Sequence, residues 1–200
     1  MSQQYECSDP DQRSIGLINA GRAIQSGELV VLPTDTVYGV GADAFDPDAV
    51  AGLVAAKGRG RAKPPPVFVG TLHALDGVAT DIPEAGRRLV EEFWPGALTL
   101  VCHEQPSLVW DLGEAQGTVA VRMPDHQLAL DLLEQTGPLA VTSANRTGWD
   151  SATTVEEARN QLGEKVAVYL DDGPTKDTVP STIVDLTHTT PRVLRLGAIS

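Results

Sequence analysis

The chain alternates short apolar runs with stretches of helical spacing from near its start to its end. Leu17, Ala20, Gly21 and Ile24 recur at i, i+3, i+4 and i+7, and Gly27 stops the pattern, which predicts a helix over 11–26. The apolar run over 29–32, ended by Pro33, reads as a buried strand. Asp46 followed by Pro47 supplies an N-cap and a first-turn proline for a helix reaching about Lys57. Pro83 opens another helix that runs through Phe93 and is closed by Trp94-Pro95-Gly96. Strands follow over 98–102 and 119–122, then a helix over 125–136 stopped by Gly137, then a strand over 139–141. Thr154 with Glu157 forms a capping box for a further helix, and strands over 166–170, 181–186 and 192–196 complete the series. Strands alternating with helices indicate an α/β sheet. Two strand pairs, 98–102 with 119–122 and 181–186 with 192–196, have short connections that suit antiparallel pairing. The expectation is one domain over residues 1–200, built on a twisted, mixed parallel/antiparallel sheet with flanking helices, and a flexible arm over 1–11.

Charge adds a contrast to this pattern. Fifteen Lys and Arg stand against 27 Asp and Glu, a net charge of −12, and a surface that acidic disfavours general coating of nucleic acid. No Asp or Glu occurs over 49–75, yet Lys57, Arg59, Arg61 and Lys63 fall within seven positions of that window. Cys7 and Cys102 stand alone, and His73, His103, His126 and His188 show no ligand spacing, so neither a disulfide scaffold nor a transition-metal site is expected. The polar N-terminus lacks a signal-peptide core and the apolar runs are too short to span a bilayer, so a cytoplasmic protein with reduced thiols is expected.

Candidate chemistry gathers in loops that follow apolar strands, where open α/β sheets place their ligands. Pro33-Thr34-Asp35-Thr36-Val37-Tyr38-Gly39-Val40-Gly41 offers hydroxyls, a carboxylate and a phenol, and reads either as a ligand wall or as a turn. The loop Lys57-Gly58-Arg59-Gly60-Arg61-Ala62-Lys63 suits phosphate oxygens or is a solvated basic loop, and no GxxxxGK[ST] occurs in the chain. Val141-Thr142-Ser143-Ala144-Asn145, with Ser151 beyond it, lacks a GxSxG elbow, which favours hydrogen bonding to a ligand, or a cap, over acyl-enzyme chemistry. Arg122 and Arg195 each sit at a strand end, where an arginine meets an internal carboxylate or an anionic ligand. Trp94 and Trp110 read as packing residues, and His126 as the start of a helix.

Seven blocks in order, PTDTVYGVGADAF, KGRGRAKPPP, WPGALTLV, TVAVRMPDH, TSANRTG, STIVDLT and VLRLGAI, resemble the YrdC-like family of threonylcarbamoyl-AMP synthases over about 12–199. The resemblance implies a sheet enclosing a deep ligand cavity. It also implies a nucleotidyltransferase that makes threonylcarbamoyl-AMP and pyrophosphate from L-threonine, bicarbonate and ATP, with Mg²⁺ carried mainly by the ATP. The product would serve the threonylcarbamoyladenosine modification of tRNA through downstream transfer proteins. By the same resemblance, Lys57 and Arg59 are catalytic, and Arg59, Lys63, Thr118, Ser143, Asn145, Ser151 and Arg195 contact ATP. Thr36, Arg122, Val141 and Ser181 contact threonine. The chain departs from the family where many members read Asn-Pro-Leu after the basic loop and some place a histidine on the following strand: here the run is Lys63-Pro-Pro-Pro-Val-Phe68. Ending just after VLRLGAI, it matches the short form without a second C-terminal domain. A double-stranded RNA or tRNA binder, and a paralogue with another carbamoyl or nucleotide substrate, are the alternatives. The acidic balance leaves direct tRNA binding weak.

Overall fold

The computed structural model describes residues 1–176 and 178–199. Eleven strands form one sheet: β1 (Gln3–Glu6), β2 (Val30–Leu32), β3 (Gly39–Asp43), β4 (Val67–Phe68), β5 (Ala79–Thr80), β6 (Leu98–Glu104), β7 (Thr118–Arg122), β8 (Leu139–Ser143), β9 (Val168–Asp171), β10 (Thr182–Asp185) and β11 (Arg192–Arg195). Their order is β1-β9-β2-β3-β8-β4-β7-β6-β10-β11, with β5 on the remaining stretch of the β6 edge. The sheet is mixed as expected. The β6–β7 and β10–β11 pairs are antiparallel, while β1–β9, β2–β9, β4–β7 and β6–β10 are parallel.

Six helices flank it: α1 (Pro10–Gln25), α2 (Pro47–Ala56), α3 (Leu72–Val78), α4 (Glu84–Phe93), α5 (Gln127–Thr136) and α6 (Val155–Leu162). Four of them, α1, α2, α3 and α6, begin at a side chain that accepts from their first amides, whereas α4 after Pro83 and α5 after His126 have no side-chain cap. Asp9 caps α1 and Asp46 caps α2, each accepting two backbone N–H groups ahead of a first-turn proline. Thr154 caps α6 through Glu157 N, but the Glu157 carboxylate turns back to Thr153 instead of Thr154.

The alternation of strand side chains divides the core between two faces. Val31, Val40, Val67, Leu100, Val121, Ala140, Tyr169 and Val184 pack with α2, α3, α4 and α6. Val30, Leu32, Leu139, Val141, Val168 and Leu170 pack on the opposite face with α1 and α5. On that second face Phe68 marks where the helix-covered core gives way to a cleft.

Two expectations are corrected. Residues 1–11 are not a flexible arm, because Gln3–Glu6 pairs parallel with Val168–Asp171 and α1 starts at Pro10. An edge strand is held by backbone bonds, which its polar side chains do not advertise. The segment read as one loop over 33–41 contains the start of β3, whose glycines conceal its strand character. A Cβ on Gly39 would stand 2.8 Å from Val141 Cγ1, so the bare backbone lets β8 side chains pack across β3.

Candidate functional site

The cleft, ≈ 430 Å³, opens on the half of the second face that α1 and α5 leave uncovered. Its floor comes from alternate strand positions: Thr99 and Val101 of β6, Ala120 and Arg122 of β7, Phe68 of β4, Val141 of β8 and Ile183 of β10. Loops after β2 and α2 add Thr36 and Arg59, and Ser181 and Arg195 come from the β10–β11 hairpin and the turn before it. Among the described residues, three arginines line this wall and no carboxylate does. Such a wall favours anions.

Eight of the twelve residues singled out in the sequence line the cleft: Thr36, Arg59, Arg122, Val141, Ser143, Ser151, Ser181 and Arg195. Arg122 is only 4% exposed and meets an internal carboxylate, the first of the two outcomes that the sequence left open. Its Nη2 donates to Asp35 Oδ1 at 2.6 Å, its Nη1 to Thr36 Oγ1 at 3.1 Å and its Nε to Gly96 O at 3.0 Å. The guanidinium lies 5.4 Å from the centre of the Phe68 ring. Three of its five N–H groups are thereby used, and two are left for an anion in the cleft. Arg59 Nη1 reaches Thr142 Oγ1 at 3.3 Å, while its buried Nε has no partner among the described residues. Arg195 Nε and Nη2 donate to Ser181 O at 3.0 and 2.7 Å, and Ser181 Oγ lies 2.8 Å from Thr99 Oγ1.

Lys57, Lys63, Thr118 and Asn145 do not line the cleft. Lys57 is 4% exposed, and its Nζ donates to the carbonyl oxygen of Ser143, to Asn145 O at 2.8 Å and to Asn145 Oδ1 at 3.2 Å. It therefore ties the C-terminal end of α2 to the loop after β8, from behind the wall. Burial, and secondarily the neighbouring Arg59, pulls its pKa down to about 8. Asn145 continues the tie: its Nδ2 donates to Arg146 O and Trp149 O. Thr118 Oγ1 is spent on Ala115 O at 2.7 Å, and Lys63 is exposed.

Sequence reasoning missed Asp35, Thr99 and Thr142 as parts of the site. Asp35 had a signal, since a strand-end arginine requires a carboxylate and Asp35 lies inside the first polar cluster. Besides Arg122, its Oδ1 accepts Asp125 N at 3.1 Å, which pins the strand end of β2 to that of β7. Thr99 had no signal beyond strand alternation, because Leu98-Thr99-Leu100 looks like a core run with one polar interruption.

Cys7 and Cys102 are both free and buried, and among the described residues no cluster of three or more His, Cys, Asp or Glu is placed to hold a metal. No helix among the described residues is long and apolar enough to cross a membrane.

Known proteins share both sequence and fold with this chain. The Sua5/YciO/YrdC family pattern, described as telomere recombination, matches residues 22–197. A Mycobacterium tuberculosis protein provisionally named threonylcarbamoyl-AMP synthase is 55% identical over 200 residues, covering 100% of this chain and 92% of its own. The Bacillus subtilis threonylcarbamoyl-AMP synthase is 38% identical over 186 residues, 92% of this chain and 54% of its own. Among solved structures, Pyrococcus abyssi Sua5 complexed with L-threonine superposes with a TM-score of 0.87 at 38% identity, over 90% of this chain and 54% of its own. Escherichia coli YciO gives 0.86 at 25% identity, over 99% of this chain and 97% of its own. The chain belongs to the Sua5/YciO/YrdC family.

Proposed function

We propose that this chain is an L-threonylcarbamoyladenylate synthase, acting on L-threonine, bicarbonate and ATP. The observation that carries the reading is the cleft wall, which brings Arg59, Arg122 and Arg195 together with Thr36, Ser143, Ser151 and Ser181 and, among the described residues, holds no carboxylate. Two anionic substrates, an amino-acid carboxylate and a triphosphate, suit that wall. The threonine carboxylate takes the free N–H groups of Arg122, which Asp35 and Thr36 hold in one orientation. The triphosphate takes Arg59, a partly buried cation that interacts more strongly than it would in water, and Arg195 on the exposed β11.

The threonine amine captures bicarbonate to give a carbamate and water. A carbamate oxygen then attacks the α-phosphorus of ATP, forming a new P–O bond as the bond to pyrophosphate breaks. Arg59 stabilises the charge that builds on the phosphates, and a fixed donor aimed at developing charge is worth several kcal/mol, ~3 for one hydrogen-bonding group. No described residue of the wall is a carboxylate that would hold Mg²⁺, so the ion would be carried by the triphosphate and would neutralise part of its charge. Lys57 and Asn145 act on the reaction through the Ser143 loop that they hold. The product is a mixed anhydride and a reactive acyl donor, whose carbamoyl group the downstream proteins of tRNA modification would transfer to tRNA.

Pyrophosphate release from the purified chain tests this. Release should require ATP, bicarbonate and L-threonine together, and Arg59→Ala should abolish it with the melting temperature changed by no more than a few degrees. Threonine-independent release, or near wild-type activity of Arg59→Ala, would refute the assignment.

A further inference from the structure

A second groove, ≈ 650 Å³, adjoins the cleft and shares Ser151 with it. Trp149, Asp150, Thr153, Glu157 and Gln161 line it further. Trp149 is 63% exposed, a large apolar ring left in solvent at the rim of the site.

The turn that carries this ring is fixed from two sides. From the cleft side, Asn145 Nδ2 donates to Trp149 O at 2.8 Å and to Arg146 O at 2.9 Å, and Asn145 is itself held by Lys57. From α6, Gln161 Oε1 accepts Arg146 N at 2.9 Å and Gln161 Nε2 donates to Asp150 O at 3.0 Å. Trp149 N closes the turn onto Arg146 O at 3.0 Å, and Gly148 takes the positive φ of 85° that it requires. The exposed ring thus sits on a preorganised mount, so ordering it on a ligand costs little backbone entropy.

Charge is segregated across Ser151. Among the described residues, the cleft side holds Arg59, Arg122 and Arg195 without a carboxylate, and the groove side holds Asp150 and Glu157 without a cation. A phosphate chain is attracted to the first and repelled by the second, whereas an uncharged heteroaromatic ring is accepted beside the indole. We infer that Trp149 is the stacking platform for the purine base of the nucleotide whose phosphates lie on Arg59 and Arg195. The inference rests on the nucleotide-using reading above and adds to it the direction in which the nucleotide lies and the residue that receives its base.

Fluorescence and kinetics on the full chain test it separately from the overall activity. Trp94 is buried with its Nε1 bonded to Leu98 O, and Trp110 is bonded to Glu104 and stacked on Phe45, so Trp149 dominates any solvent-side response. ATP added without threonine should quench the emission, and Trp149→Phe should remove that quench. Trp149→Ala should raise KM for ATP about tenfold, equivalent to about 1.4 kcal/mol, with kcat and KM for threonine unchanged. A quench that persists in Trp149→Phe, or a KM for ATP within twofold of wild type in Trp149→Ala, overturns the inference, and an indole that serves a protein partner would give the second result. If wild type shows the Trp149-dependent quench but no threonine-dependent pyrophosphate, the stacking stands and the proposed activity falls. Normal turnover with no role for Trp149 gives the reverse.

Discussion

Lys57 shows how a single residue can serve a site without entering it. The ammonium is buried among the oxygens of Ser143 and Asn145, and desolvation pulls its pKa from the ordinary 10.5 to about 8. Below about pH 8 it is charged in both folded and unfolded chains, and the burial penalty is fully present. Between about 8 and 10.5 the unfolded chain keeps a proton that the folded chain has released, so this residue's contribution to stability rises with pH across that window. Thermal melts of wild type and Lys57→Met over this range should show their difference moving in favour of wild type as pH rises. A difference that stays flat would show that the lysine titrates normally in the folded state. The sequence marked Lys57 as part of a basic island, but four neighbouring cations look alike in one dimension. Only the fold separates a buried strut (Lys57), a lining residue (Arg59), a latch (Arg61) and an exposed side chain (Lys63).

That latch belongs to the scale of elements. Arg61 Nη2 contacts both oxygens of Asp111 at 2.6 and 2.8 Å, and Glu114 N donates to Arg61 O at 3.0 Å, so the loop between β6 and β7 grips the basic loop after α2. Both charged side chains are about half exposed, so the ion pair adds at most ~1 kcal/mol, and the backbone contact defines the geometry. Gly113 makes that contact possible: its φ is 108°, and a Cβ there would stand 2.6 Å from Arg61 O. Gly113→Ala should cost about 1–3 kcal/mol of stability and raise KM for ATP more than KM for threonine, since Arg59 lies two residues from the displaced carbonyl. Steady-state kinetics with each substrate varied in turn would check it, and equal shifts in both constants would contradict it. Most elements were legible because their apolar period and caps agree, as at Asp46-Pro47 and in the antiparallel β6–β7 pair. Polar β1, glycine-bearing β3, two-residue β4 and β5, and the seven-residue α3 were not, since they owe their form to backbone pairing and neighbours rather than to local pattern.

Across the whole molecule, an acidic chain carries a wall that, among the described residues, has arginines and no carboxylate. The net charge of −12 opposes binding of a long polyanion, while the wall admits a compact one, and this separation favours a nucleotide and an amino acid over RNA as direct ligands. The three lining arginines lie far apart along the chain, on the loop after α2, at the end of β7 and on β11. Their positions, Arg59 after a helix and Arg122 and Arg195 at strand ends, were readable one at a time. Their convergence was not, because it depends on the order β4-β7-β6-β10-β11 and on which face each strand turns outward. The proposed product makes the central claim directly measurable. Wild-type chain incubated with ATP, L-threonine and ¹³C-labelled bicarbonate should yield, by mass spectrometry, threonylcarbamoyl-AMP carrying one ¹³C atom, with pyrophosphate in equal amount. Conversion of ATP without a labelled adenylate, while ATP still binds the cleft, would contradict the account.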